Sequence, residues 1–148
     1  MSGSNTFLGV DRTDLGLLGL RLVVGFTGFY HGAGKLFGIF GGPGIEGFTG
    51  FLRSLSVPMP GVSAWLAALA EFVGGIMVAL GVYPRLAALP FAFTMFVACF
   101  TAHAGHWSGE KGMEFPFTLG VVLVAIALIG PGRHTIHAWV PGLGGKQS

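Results

Sequence analysis

Charge is scarce in this sequence. Only 9% of its 148 residues are Asp, Glu, Lys or Arg, whereas soluble domains are about one-quarter charged. Hydrophobic residues make up 52% of the chain, and the mean hydropathy is +0.74. This composition argues against a free soluble monomer. It favours one membrane domain, since a chain of about 150 residues commonly forms a single folding unit.

Cysteine and clustered basic residues are also lacking. The single cysteine, Cys99, lies in an apolar run, which excludes an intrachain disulfide, a CxxC redox pair and a cysteine metal cage. Lys and Arg are scattered along the chain, so no basic stripe is available for a nucleic-acid backbone. Residues 1–14 lack the basic and apolar regions of a secretion signal, and we expect no removable signal peptide.

Long apolar runs are present instead. Four segments predict membrane helices: Leu15–Tyr30, Val62–Val82, Leu86–Ala102 and Phe115–Ile129. Turns rich in Gly and Pro separate them at 41–44, 58–61, 83–84 and 130–132. Helices of a soluble bundle would show polar outer faces, and Leu86–Ala102 has almost no polar residue. The sequence therefore predicts an all-α protein, a bundle of four transmembrane helices.

A shorter amphipathic segment lies between the first two runs. In Ile45–Val57, large apolar residues recur at helical spacing, and Glu46 and Arg53 lie off that stripe. This pattern predicts a short interfacial helix, with a re-entrant hairpin as the alternative. The expected organisation is a polar tail over 1–13, the membrane domain over 14–140 and a flexible tail over 141–148.

Orientation follows from the basic residues. An even number of spans places both termini on one side, and five Lys and Arg residues fall on that side against three on the other. Because basic residues are enriched in cytoplasmic loops, we expect both termini in the cytoplasm.

Ionisable residues gather at the opposite end of the predicted bundle. A rise of about 1.5 Å per residue places His31 and His103 in one layer, with Lys35 one turn beyond His31. The full group consists of His31, Lys35, His103, His106, Glu110 and Glu114. It is either a functional site or a belt of polar side chains at the level of the lipid headgroups.

Glu71 stands apart, near the middle of the second span, where an unpaired carboxylate is unfavourable. Arg21 is about one helical turn away in depth and is the expected partner. The pair either joins two helices or supplies a proton-relay carboxylate. His134 and His137 share one face of a short terminal segment and are expected at the surface, and no metal site is predicted.

Five segments occur in an order that is typical of one family. They are RLVVGFTGFYHGAGKLFG at 21–38, GGPGIEGFTGFL at 41–52, AEFVGGIMVALGVYPRLAA at 70–88, MEFPF at 113–117 and GPGR at 130–133. With them the chain resembles the DoxX family of small four-helix bacterial membrane proteins over about Leu17 to Val140. The family's recurring polar positions coincide here with Arg21, His31, Lys35, Glu71, Arg85 and Glu114.

The resemblance implies a location in the bacterial inner membrane and a link to membrane redox complexes, among them thiosulfate:quinone oxidoreductase. The first functional hypothesis is therefore a quinone-linked oxidoreductase subunit. In it, His31 or His103 contacts a quinone carbonyl, Lys35 stabilises developing negative charge, and Glu114 or Glu71 passes protons. His106 is a further candidate for contact with the quinone.

Two alternatives remain open. His31 and His103 could be the axial ligands of a b-type haem, because bundle cores commonly hold such cofactors. The chain could instead be a non-catalytic accessory subunit whose glycine-rich faces pack against a larger membrane complex or a second copy.

Overall fold

The computed structural model describes residues 6–7, 10–109 and 111–136. Within these ranges the chain forms five α-helices: α1 Arg12–Phe37, α2 Gly44–Ser54, α3 Pro60–Leu80, α4 Pro84–Phe100 and α5 Glu114–Ile129. Two short strands, β1 Thr6–Phe7 and β2 Val10–Asp11, pair antiparallel ahead of α1. The predicted all-α class is confirmed. Glu110, His137 and the predicted tail at 141–148 lie outside the described residues.

Local chemistry sets the ends of the helices. α1 begins after Asp11, whose carboxylate accepts a hydrogen bond from the Thr13 amide at 2.8 Å, and it ends at Gly38 in a left-handed conformation. α3 and α4 each begin with a proline, which suits the first turn because no amide bond is lost there. α1 extends beyond Leu15–Tyr30 at both ends, since hydropathy marks the apolar part of a helix and not its hydrogen-bonded limits.

The four longer helices form an incomplete ring. α1 packs on α3, α3 on α4 and α4 on α5, whereas α5 meets α1 through few contacts. Phe91, Leu123 and Ile126 are among the residues of the main buried core. α2 packs outside the ring against α1 and α3 and buries Phe48 and Leu52. The helix predicted within 45–57 is therefore confirmed, and its location at a membrane interface stays a prediction.

Glycines allow α1 and α3 to approach closely. A Cβ built on Gly25 would lie 2.6 Å from the carbonyl oxygen of Gly75, and one built on Gly75 would lie 2.6 Å from the amide nitrogen of Phe29. No larger residue fits either position without moving a backbone. Small residues have this role at many membrane helix interfaces.

The membrane character differs between the helices. Within the described ranges, α3 alone is both long enough and apolar enough to cross a bilayer, and α4 and α5 are apolar but have only 17 and 16 residues. The outer surface is nonetheless apolar, with Val23 68%, Phe93 70% and Leu128 76% exposed. Four membrane spans therefore remain a prediction.

Candidate functional site

An ion pair joins α1 to α3. The Lys35 Nζ atom lies 2.5 Å from Oε1 and 2.6 Å from Oε2 of Glu71. The Glu71 side chain is 1% exposed, whereas that of Lys35 is 23% exposed. The Lys35 ammonium also lies 5.0 Å from the ring centroid of Phe48, within the range of a cation–π contact. The pair thus joins a buried carboxylate to a lysine whose side chain is partly exposed.

Lys35 lines a cavity of about 360 Å³ between α1, α2 and the loop that joins them. Aromatic rings form much of its wall. Tyr30 and Phe40 stack with centroids 4.7 Å apart, and the Tyr30 hydroxyl donates to the Phe40 carbonyl oxygen at 3.3 Å. Phe48 and Phe51 of α2 complete the aromatic lining. We call this space the Lys35 cavity.

Two glycines let the loop fold back to close the Lys35 cavity. A Cβ on Gly34 would lie 3.2 Å from the Ile39 carbonyl oxygen and 3.3 Å from the Gly42 Cα atom. The loop backbone therefore packs directly on the last turns of α1. This contact positions Phe40 next to Tyr30 and so shapes the aromatic wall.

His31 lies at the rim of the Lys35 cavity and is solvent-accessible. Its ring meets that of Tyr30 edge-on at 5.6 Å and lies 6.0 Å from that of Phe115 on α5. The structure thus brings together His31, Lys35 and Glu71 out of the residues singled out from the sequence. An imidazole, an ammonium and a carboxylate in one place can donate hydrogen bonds and move protons.

The predicted pairing of Glu71 with Arg21 is wrong, because Lys35 binds the carboxylate. Gly28 lies level with Glu71, since a Cβ on this glycine would be 2.8 Å from the Glu71 carbonyl oxygen. Arg21 and Lys35 are each seven residues from Gly28, about 10 Å along the axis in opposite directions. Helix side chains tilt toward the N-terminus, so Lys35 leans back toward Glu71 and Arg21 leans away.

Arg21 has a different set of partners. Its buried guanidinium donates to the carbonyl oxygens of Val78 at 3.0 Å and Ala79 at 3.1 Å, near the end of α3. It also donates to those of Pro131 and His134 beyond α5, the latter at 2.9 Å. The Val78 carbonyl oxygen also accepts a hydrogen bond from the Gly81 amide at 3.2 Å, and carbonyls in the last turn of a helix carry partial negative charge. Arg21 therefore joins the ends of two helices, which is a structural role.

The other predicted residues lie apart from this group. His103 Nδ1 is 3.3 Å from the Lys111 carbonyl oxygen, within the segment joining α4 to α5. His106 in that segment and Glu114 at the start of α5 are exposed. Within the described part of the chain, none of His103, His106 and Glu114 lines the Lys35 cavity. Their proposed contacts with a quinone, and the haem ligation by His31 and His103, stay predictions.

The aromatic wall was missed by the sequence reasoning. The sequence pattern places Phe48 and Phe51 only on the apolar stripe of a short helix, and it assigns no site role to Tyr30 or Phe40. One signal is present in the sequence: both sides of the loop at 38–43 are rich in aromatic residues, and the loop contains three glycines among its six residues. Such a loop can fold back on its flanking helices.

Comparisons with known proteins agree with this architecture. The family model described as DoxX matches residues 16–104, more than half of the chain. A protein of Bacillus subtilis (strain 168) named "Putative oxidoreductase CatD" is 30% identical over 118 residues, which cover 79% of this chain and 81% of that protein. No solved structure matches the chain. The matched region contains α2, α3, α4 and all but the first four residues of α1, and therefore both residues of the ion pair.

Proposed function

This chain belongs to the DoxX family of membrane proteins, and on that premise we propose that it is a quinone-binding subunit of a membrane oxidoreductase. The quinone ring binds in the Lys35 cavity. The name of the Bacillus relative supports a redox context in general terms.

The observation on which the proposal depends is the partly exposed Lys35 side chain in the wall of an aromatic cavity, with its ammonium bound to the buried Glu71 carboxylate. A quinone ring is planar and apolar on its faces and has carbonyl oxygens at its edge. Aromatic side chains such as Tyr30 and Phe48 stack on such faces, and an ammonium donates strong hydrogen bonds to carbonyl oxygens. A volume of about 360 Å³ lies within the range of small-molecule sites, about 300–1,000 Å³.

The chain's residues have distinct tasks in this proposal. Reduction of a quinone to a quinol takes two electrons and two protons, and a redox cofactor on a partner protein supplies the electrons. Lys35 donates to a carbonyl oxygen and stabilises the negative charge that develops there. Glu71 holds the ammonium in place, and His31 exchanges protons at the solvent-accessible rim.

We also propose that four helices, α1, α3, α4 and α5, cross the inner membrane of a bacterium with both termini in the cytoplasm. The apolar outer surface supports this embedding. Near the start of α1 and the end of α5, Arg133 pairs with Asp14 and Arg85 approaches the Ile129 carbonyl oxygen. Basic residues collected at this end favour a cytoplasmic location.

Binding of a water-soluble quinone to the purified protein in lipid nanodiscs tests the proposal. We expect saturable binding of menadione by calorimetry. His31→Leu should weaken it about fivefold and Lys35→Met about tenfold or more, because each removes a donor. His31→Leu is informative even if Lys35→Met misfolds, since His31 is not part of the ion pair.

Lys111→Met is the matched control for Lys35→Met. Lys111 is exposed in the segment between α4 and α5 and does not line the Lys35 cavity, so affinity should be unchanged. A folded wild-type protein that binds no menadione contradicts the proposal and favours the accessory-subunit hypothesis. If the wild type, His31→Leu and Lys35→Met bind menadione with equal affinity, the quinone does not bind in the Lys35 cavity.

A further inference from the structure

A second cavity, of about 430 Å³, lies in the seam between α1 and α5. Its ten lining residues are Gly, Leu, Val, Phe and Thr, without an ionisable side chain. The α1 wall runs from Gly16 to Thr27, which is about 16 Å along the axis. This space, the seam groove, is present because α5 closes the ring against α1 through few contacts.

The seam groove and the Lys35 cavity share one face of α1. Leu20, Val23 and Thr27 line the groove, and Tyr30, His31 and Gly34 line the cavity. Residues three and four apart lie on the same side of a helix, so these positions form one continuous stripe. The two spaces are therefore consecutive along α1.

His31 and Phe115 stand where the two spaces meet. Phe115 lines the seam groove, His31 lines the Lys35 cavity, and their rings are 6.0 Å apart. A molecule lying along α1 would thus pass from apolar walls to a site with an ammonium and an imidazole. Its matching chemistry is a polar ring with a long apolar chain.

The geometry points to the seam groove as the binding site for the isoprenoid chain of a membrane quinone whose ring occupies the Lys35 cavity. This inference rests on the proposed function, since it extends the same ligand. The isoprenoid chain enters the seam groove sideways from the lipid and passes His31 and Phe115. Because of its contacts in the groove, membrane quinones bind more tightly than quinones without a tail.

Two ubiquinone analogues, one without a side chain and one with a decyl chain, test the inference in nanodiscs. Affinities are expressed per mole fraction in the membrane, so that simple partitioning does not contribute. We expect the wild type to bind the decyl analogue about tenfold more tightly, because the chain makes van der Waals contacts with the groove walls that the tailless analogue does not make. An equal affinity for both analogues would overturn the inference.

Gly19→Leu places a bulky side chain in the seam groove at a position where a Cβ meets nothing within 4 Å. It should abolish the tenfold gain and leave the affinity for the tailless analogue unchanged. Thr118→Phe, which fills the groove from α5, should act in the same way. The matched control is Gly50→Leu on α2, an equally open position that lines neither space.

The outcomes separate the two proposals. If the tailless analogue binds and the decyl gain survives in both groove variants, the ring site stands and the assignment of the groove is wrong. If neither analogue binds to the wild type, the proposed function fails, and this inference fails with it. If Gly50→Leu loses the tighter binding of the decyl analogue as fully as Gly19→Leu does, the assignment of the seam groove to the isoprenoid chain is also wrong.

Discussion

Lys35 and Glu71 form a two-point ion pair whose ends differ in environment: the carboxylate is 1% exposed and the lysine side chain is 23% exposed. The helix backbone bearing Glu71 lies against Gly28, so the close packing of α1 on α3 fixes the level of the carboxylate relative to Lys35. The cation is therefore held at a fixed point at the edge of the Lys35 cavity.

Removing one member of this pair should be much worse than removing both. Lys35→Met leaves a buried carboxylate without a partner, and we expect the free energy of unfolding to fall by about 3–5 kcal/mol. The double variant Lys35→Met with Glu71→Leu should recover most of that loss. Denaturant unfolding in detergent micelles measures both. Equal losses in the single and double variants would show that the lysine is not needed to neutralise Glu71.

Arg21 should resist replacement even by lysine. Arg21→Lys keeps the charge but cannot present the planar fork that reaches carbonyls on two segments. We expect a loss of about 3 kcal/mol or more, since bonds from charged donors contribute about 1.5–3 kcal/mol each. Arg85→Lys is the control, because the exposed Arg85 makes one contact of 3.4 Å. Similar unfolding midpoints for the two variants would argue against this role.

Two glycines of α1 should respond oppositely to the same methyl group. A Cβ at Gly28 meets the Glu71 carbonyl at 2.8 Å and the Phe91 ring, so Gly28→Ala should destabilise the protein by about 1–3 kcal/mol through overpacking. Gly19→Ala meets nothing within 4 Å and should stabilise it by about 0.5–1 kcal/mol through helix propensity. The thermal unfolding midpoints of both variants test this prediction. A Gly28→Ala midpoint equal to that of the wild type would contradict the close packing of α1 on α3.

The start of α1 should depend on pH. Hydrogen bonding from the Thr13 backbone amide lowers the pKa of Asp11 from its ordinary value. A lowered pKa in the folded state means that this cap contributes fully above the ordinary pKa and is lost as the pH falls through the lowered one. The Thr13 amide resonance should therefore titrate below the usual range for Asp, about 3.9. In Asp11→Asn that titration should vanish while the cap persists.

The sequence was enough to predict the helices and their turns, because apolar runs and the Gly and Pro residues between them are local signals. The depth of a residue along its helix does not show whether Glu71 pairs with Arg21 or with Lys35. Arg21, Gly28 and Lys35 recur every seven residues on one face of α1, and both cations are equally distant from the level of Glu71. Only the tilt of helix side chains toward the N-terminus selects Lys35.

The Lys35 cavity could be predicted only in part. His31 and Lys35 are one turn apart, and their shared face follows from helix geometry. The aromatic wall depends on the loop at 38–43 folding onto α1 through Gly34 and Gly42, which is a tertiary contact with no periodic signal. His103 shares the predicted layer, but the chain after α4 turns it toward the Lys111 carbonyl.

The hydrogen bonds of Arg21 also set an order of assembly. Its acceptor on His134 lies 113 residues further along the chain, so α2 to α5 must all be synthesised before this guanidinium has its full set of partners. Until then α1 holds a cation whose C-terminal acceptors do not yet exist. Residues that leave the ribosome long after α1 are thus required to complete its folding.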